Sequence, residues 1–273
     1  MKTSQFKVHS ICLVKNEIDI VEYCLKQAST WCDHIYVLDN GSTDGTWEKV
    51  QSLESDRVTV WKQDLRPYDE ALCSDVYHAF KDRAKPGDWW CRLDADEIYD
   101  IQHPKEFLAK VDKRYYTVHG TGIEYWLSQQ DVDKIDFTLP LESLLPKLSL
   151  YRATWYEPRF VRHRDGMQWT GAWPRHLGLM YPEPVLYRHY KFRTPEQIQK
   201  RLDVRLESFL RGGSLVRSPR EEFDASWKSK LVDPKDMQVD DGSGQYVVGA
   251  NVRLDPPHKR LVKFAMHRTG LWV

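Results

Sequence analysis

The sequence predicts an α/β protein whose mainly parallel sheet is flanked by helices on both faces. Three observations carry this prediction. Short apolar runs alternate with segments of helical periodicity from Val8 to Glu97, Gly, Pro and Asn mark the junctions, and acidic residues stand directly behind two of the apolar runs.

The elements follow in order. Val8 to Val14 is an apolar run that reads as a buried strand. From Glu17 to about Trp31, Ile18, Val21, Leu25 and Ala28 recur at helical spacing. His34 to Leu38 is a second strand, stopped by the turn cluster Asn40-Gly41-Ser42. A helix is expected over Thr43 to Leu53 and a third strand over Val58 to Trp61. Tyr68 to Ala84 places Leu72, Val76, Ala79 and Phe80 on one helical face and ends at Pro86-Gly87. Trp89 to Leu93 is a fourth strand, running into Asp94-Ala95-Asp96-Glu97. Beyond Arg114 the pattern loosens: Tyr115 to Val118, Arg159 to Arg162 and Val185 to Phe192 read as strands between long irregular stretches, and Gly120-Thr121-Gly122 reads as flexible. Thr194-Pro195-Glu196-Gln197 begins a helix, with Thr as N-cap and Pro at the first helical position; it runs to Leu210 and stops at Gly212-Gly213. Residues 217–260 are polar and rich in Pro, Asp and Gly, and no element is assigned to them.

Composition narrows the function classes. Forty acidic and 40 basic residues balance to zero net charge, which gives no support to a nucleic-acid partner. No run reaches the roughly 20 apolar residues that span a bilayer, and Met1 to His9 is polar, unlike a secretory leader. The five cysteines, Cys12, Cys24, Cys32, Cys73 and Cys91, lack C-x-x-C spacing and several lie in apolar surroundings, as free thiols in the reducing cytoplasm would. Eleven Trp and 14 Tyr serve mainly as core, and also supply flat faces on which sugars and bases stack.

In an open parallel sheet, ligands bind outside the carboxyl ends of the strands. Asp39 and the triplet Asp94-Ala95-Asp96 stand at two such ends. A carboxylate there loses solvation unless it gains a partner, and hard oxygen ligands of this kind suit Mg²⁺ or Mn²⁺, which also bind phosphate oxygens. Either cluster alone also reads as a solvated turn. Their order and spacing in one sheet distinguish them.

Taken together, Leu13-Val14-Lys15-Asn16-Glu17, Val37-Leu38-Asp39-Asn40-Gly41-Ser42-Thr43-Asp44-Gly45-Thr46 and Leu93-Asp94-Ala95-Asp96-Glu97 resemble the family-2 glycosyltransferases of GT-A fold over roughly residues 8 to 100. A weaker likeness runs through Pro158-Arg159-Phe160-Val161-Arg162, Trp169-Thr170-Gly171, His176 and Arg188-His189-Tyr190-Lys191-Phe192-Arg193, the last as in a bacterial subgroup that points to surface-glycan (polysaccharide) synthesis. The resemblance implies a GT-A domain over residues 1–193, with a C-terminal helix and extension, residues 194–273, packing on it. It implies transfer of a sugar, with inversion, from a UDP- or GDP-sugar to a hydroxyl of a glycan or lipid-linked acceptor. Asp39 would contact the nucleoside, Asn16 and Glu17 would line its pocket, Asp96 would be the main ligand of Mn²⁺ or Mg²⁺, Asp94 would lie nearer the ribose or a metal-bound water, and His189 would fold back over the metal or diphosphate. His as a ligand favours Mn²⁺. Two departures stand out: Asn40 replaces a frequent second Asp, and Leu177 follows His176 where the subgroup often has Glu.

The general base is therefore not located by motif. Glu124, Asp165 and His176 remain candidates, Asp165-Gly166 also reading as a turn and His176 as a structural hydrogen bonder. Arg66 and Arg193 are candidate stabilisers of the diphosphate, or else exposed charges. A sugar nucleotidyltransferase would need a Gly-rich loop after the first strand, and Val14-Lys15-Asn16-Glu17 has no glycine. A catalytically inactive nucleotide-sugar-binding protein is the other alternative. Asp233, Asp236, Asp240 and Asp241 lack the spacing of a calcium loop and read as a solvated flap. The tail Arg260 to Val273 mixes basic and apolar residues, which suits docking on its own domain or lying peripherally on a membrane surface.

Overall fold

The computed structural model describes residues 6–154, 156–212, 226–249 and 255–272. Gly213, expected at the helix stop, residues 217–225 and 250–254 of the polar stretch, and Val273 of the tail lie outside the described residues.

Among the described residues ten strands form one sheet, whose main path joins eight of them. Its first half is the predicted one. β1 (Val8–Val14) pairs in parallel with β2 (His34–Asp39) on one side and β4 (Trp89–Asp94) on the other, and β2 pairs in parallel with β3 (Val58–Gln63). Near-continuous burial of β1, β2 and β4 is what a strand covered on both faces requires, and it explains why these runs are apolar rather than alternating. The covering helices are α1 (Val21–Ala28), α2 (Thr46–Ser52) and α3 (Ala71–Phe80). α1 and α3 are shorter than periodicity suggests, because turns at 18–20 and a 3₁₀ segment at Lys81–Arg83 take up their flanks.

The second half is antiparallel in the main. β5 (Glu97–Ile98) and α4 (Pro104–Leu108) lead to β6 (Thr117–Trp126), a ten-residue strand; α5 (Gln129–Lys134) and α6 (Leu141–Leu144) follow, then β7 (Leu150–Ala153), β8 (Glu157–Arg162) and β9 (Val185–His189). β8 bridges β4 and β6, and β7 borders β6. Gly120 and Gly122 lie inside β6 and are not a flexible stretch. A Cβ on Gly120 would stand 2.5 Å from Arg159 Cγ and 2.7 Å from Tyr187 Cε1, so these glycines let two large side chains cross the strand.

α7 (Pro195–Leu210) starts as predicted, Thr194 accepting from the Gln197 amide, and buries Ile198 and Leu202 in the main core. Two-residue β10 (Gln238–Val239) pairs with β7, and α8 (Pro257–Arg268) closes the described chain. The acidic flap is pinned, not loose: Asp240 accepts from Tyr125 and Tyr246, while Asp233 and Asp241 cap local turns.

All five cysteines are buried and unpaired, and burial pushes their thiols up. His9 stacks on Tyr36 and Trp90 in the second core cluster, and burial lowers it to about 4, against the opposing pull of Asp88. A depressed histidine holds the fold most firmly above its unfolded pKa of 6.5 and loses that contribution as pH falls through about 4. The urea midpoint should therefore fall over that window, with His9 supplying up to about 3 kcal/mol. His9→Phe should flatten the slope; an unchanged slope would refute the assignment.

Candidate active site at the carboxyl ends of the strands

A cleft of about 600 Å³ opens where β1, β4, β6 and β8 end or cross, with α7 as its outer wall. Gln197, Lys200, Arg201, Val204, Arg205 and Ser208 line it at helical spacing, while Ile198 and Leu202 on the other face enter the core. Basic lining residues outnumber acidic ones eight to five, in a chain of zero net charge, so the cleft favours an anion.

Two loops fix the floor. Asn16, at φ 53°, occupies the left-handed region that Asn tolerates, and its side chain accepts from the Thr43 amide at 2.8 Å while its own amide donates to Ser42 Oγ at 2.9 Å. The Glu17 amide donates to Thr46 Oγ1, and Asp44 accepts from Thr46 and the Ile18 amide. The Asn-Gly-Ser-Thr-Asp-Gly-Thr run is thus a strap between β2 and the β1–α1 loop. Asn40 donates to the carbonyls of Asp64 and Arg66, which an aspartate could not do, so this departure has a structural reason.

Asp96 is nearly buried. Its Oδ1 lies 3.4 Å from His189 Nε2, and Oδ2 accepts from Arg201 at 3.0 Å. Pairing of β5 with β9 sets Glu97 opposite His189 and brings that histidine to the DxD turn. Burial pushes Asp96 up, but His189 and Arg201 outweigh it, and the carboxyl ends well below its usual range; against burial, Asp96 raises His189. Asp94 is also lowered, burial being outweighed by Arg92 and Arg159, which approach it at 3.7 and 3.6 Å. Glu97, fully buried, is raised to about 8 by burial despite Arg159 at 2.6 Å.

Not every expected residue enters the cleft. Asn16, Glu17, Asp94, Asp96, Glu124 and His189 line it; Asp39, Arg66, Asp165, His176 and Arg193 do not. Asp39 is buried at the same strand-end edge, its Oδ1 accepting from Gly41, Ser42 and Gln63, its Oδ2 without a partner. Arg66 is exposed and paired with Asp64 and Asp75. Asp165 is exposed in a turn, and His176 stacks on Trp272 with ring centroids 4.6 Å apart, so neither stands where a base is needed. Arg193 is fully buried rather than exposed: it donates to Glu17, Asp19 and the Tyr190 carbonyl, tying the entry of α7 to the β1–α1 loop.

Sequence reading gave no role to Glu157 or to the basic face of α7, and held Arg159 only within the weaker family likeness. Lys200, Arg201 and Arg205 share one helical face, which is legible once the helix is known; Glu157 has no such signal.

For a divalent cation, the fit is a two-ligand one. Two ligands on neighbouring corners of an octahedron lie about 3 Å apart at Mg²⁺ distances, near the Asp96–His189 separation. Among the described residues no group of three His, Cys, Asp or Glu gathers at one point. Mg²⁺ and Mn²⁺ tolerate this where phosphate and water complete the shell.

A parallel nucleotide-type half, an antiparallel half and an acidic turn at their seam define a GT-A glycosyltransferase fold. Residues 11–134, a little under half of the chain, match the family model of glycosyl transferase family 2. The match holds Asn16, Glu17, Asp39, Asp94, Asp96 and Glu124, and ends before Glu157, His189 and Arg201. A search of curated proteins found no match to the chain. The match supports glycosyltransferase activity in general, with a nucleotide-sugar donor and an acceptor. Among the described residues no helix is long and apolar enough to cross a membrane.

Proposed function

We propose that the protein is a metal-dependent, inverting glycosyltransferase that moves a sugar from a UDP- or GDP-sugar to a hydroxyl of a glycan or lipid-linked glycan, as in surface-polysaccharide synthesis at the cytoplasmic side. The observation that carries this reading is the convergence of Asp94, Asp96 and His189 with the basic face of α7 in one cleft. The catalytic unit is the domain expected over residues 1–193, closed by α7; of the described residues that follow, β10 pairs with β7 and Phe264 of α8 packs on the core.

Asp39 Oδ2 is buried and unpartnered outside the cleft, so a base N–H or ribose hydroxyl would reach it only if donor binding opens that strand-end edge. Lys15, Lys200 and Arg205 line the path of a diphosphate. Mn²⁺ or Mg²⁺, held by Asp96 and His189 with Asp94 nearby, would supply Lewis-acid stabilisation of that leaving group. Arg201 bonds Asp96 and Glu17 and sits within reach of the same anion. An inactive binding protein would keep these contacts, so turnover decides between the two readings.

Glu157 is the proposed proton acceptor. It lines the cleft with a side chain 42% exposed and one long contact, 3.4 Å, to Arg159. Glu124, 13% exposed, is engaged by His189 Nδ1 at 3.5 Å and Lys191 at 3.6 Å, and so orients the imidazole. Glu157→Gln should lower kcat by about 10²–10⁴-fold. Glu124→Gln should mainly raise the metal concentration needed, by about 10–100-fold. Steady-state nucleotide release across a Mn²⁺ series separates the two; a full kcat in Glu157→Gln would return the base role to Glu124. The donor is tested by a panel of nucleotide-sugars, scored by thermal shift and nucleotide release. Donor binding without any release of free sugar or product would favour the inactive binder.

A further inference from the structure

The C-terminal helix α8 leaves part of its apolar surface, Leu261, Val262 and Ala265, facing solvent although Phe264 docks it on the core. His258, Leu261, Val262, Ala265, Arg268 and Thr269 recur at helical spacing and are all exposed, with Leu261 at 69% and Val262 at 54%; Leu271, just beyond, is 68% exposed. Its inward face holds the polar and aromatic contacts. Lys263 pairs with Asp255 at 2.5 Å, Phe264 packs on the core, and the His267 ring stacks on Tyr116 at 4.5 Å beside Gly178. Trp272 stacks on His176, so the tail is seated at both ends. Ordinary surface helices turn their apolar stripe toward the core. Here the stripe faces solvent.

The charge around that stripe is of one sign. From Pro256 to Trp272 there is no Asp or Glu, while His258, Lys259 and Arg268 stand exposed at its edges. An apolar stripe whose own helix carries only basic charge at its edges is complementary to an anionic lipid surface, where that charge meets headgroups and Leu and Val enter the acyl boundary. A second copy of the chain would bring the same positive rim against itself, which argues against self-association through this face. We propose that α8 and Leu271 form a peripheral docking surface for an anionic membrane.

The test is co-sedimentation of the full chain with vesicles of phosphatidylcholine alone or mixed with phosphatidylglycerol. Binding is expected to the mixed vesicles only and to weaken as salt rises. The double substitution Leu261→Asp, Val262→Asp should reduce it at least about tenfold, and Lys259→Glu or Arg268→Glu about fivefold or more each. All four positions are exposed or at the helix surface, so thermal midpoints should stay at the parent value. Donor turnover without vesicles should also stay unchanged, because no α8 residue lines the cleft; failure of the transferase reading would therefore not affect the vesicle result. Equal binding to both vesicle types, no binding, or unchanged binding by the variants would overturn the proposal. A concentration-dependent dimer that the double substitution abolishes, in the absence of vesicle binding, would assign the face to a second copy instead.

Discussion

Asp96→Asn is expected to lower nucleotide release by about a thousandfold, with the fold retained. The reason is the density of charge that this one carboxylate organises. Both oxygens are engaged, one facing His189 and one accepting from Arg201, and neither is open to bulk water. An amide is nearly the same shape but neutral, so it keeps the turn while removing the charge that a divalent cation and Arg201 require. The loss should appear in kcat rather than in donor KM, since stabilisation of the departing diphosphate is needed most in the transition state. A chelator should inactivate the parent, and Mn²⁺ should restore it. Undiminished release by Asp96→Asn, or parent activity that survives chelation, would end the metal reading; the family match of residues 11–134 would stand without it.

The largest effect on stability should come from Arg193→Met, at about 3–5 kcal/mol in urea unfolding. Arg193 is fully buried, with Nη2 2.6 Å from Glu17 and a double contact to Asp19 at 2.8 and 2.9 Å. Methionine fills much of the space but leaves two carboxylates without their shared cation. Glu17 is raised to about 7 by burial even with Arg193 beside it, which shows how unfavourable its charge is there. Adding Glu17→Gln to Arg193→Met should recover part of the loss, because the buried charge then left to Arg201 alone is gone. A cost under about 1 kcal/mol for the single substitution would mean that the clamp between α7 and the β1–α1 loop contributes little.

This clamp illustrates how far the sequence could be read. Arg193 precedes a well-capped helix, and in the sequence it could be a diphosphate ligand or an exposed charge. Its partners, Glu17 and Asp19, are more than 170 residues away, and no local pattern announces a pairing at that range. Arg201 is a similar case: its helix was legible, but not the bridge from that helix to Asp96. His176 and Asp165 erred in the other direction, since local turns and a His near neutral pKa suggested a base that the tertiary structure placed outside the cleft.

The sequence by itself determined the alternation of strands and helices through Asp94, the acidic ends of β2 and β4, the cap of α7 and the resemblance to family 2. These depend on contacts within a few residues or on a repeated apolar period, so composition and spacing are enough to specify them. Only the tertiary structure decided the antiparallel half, the passage of Arg159 and Tyr187 over Gly120, the meeting of His189 with Asp96, the place of Glu157 in the cleft and the outward apolar face of α8. Those features arise from pairing between distant strands and from which helical face the core leaves uncovered, and both are settled by the packing of the whole chain, not by any segment of it.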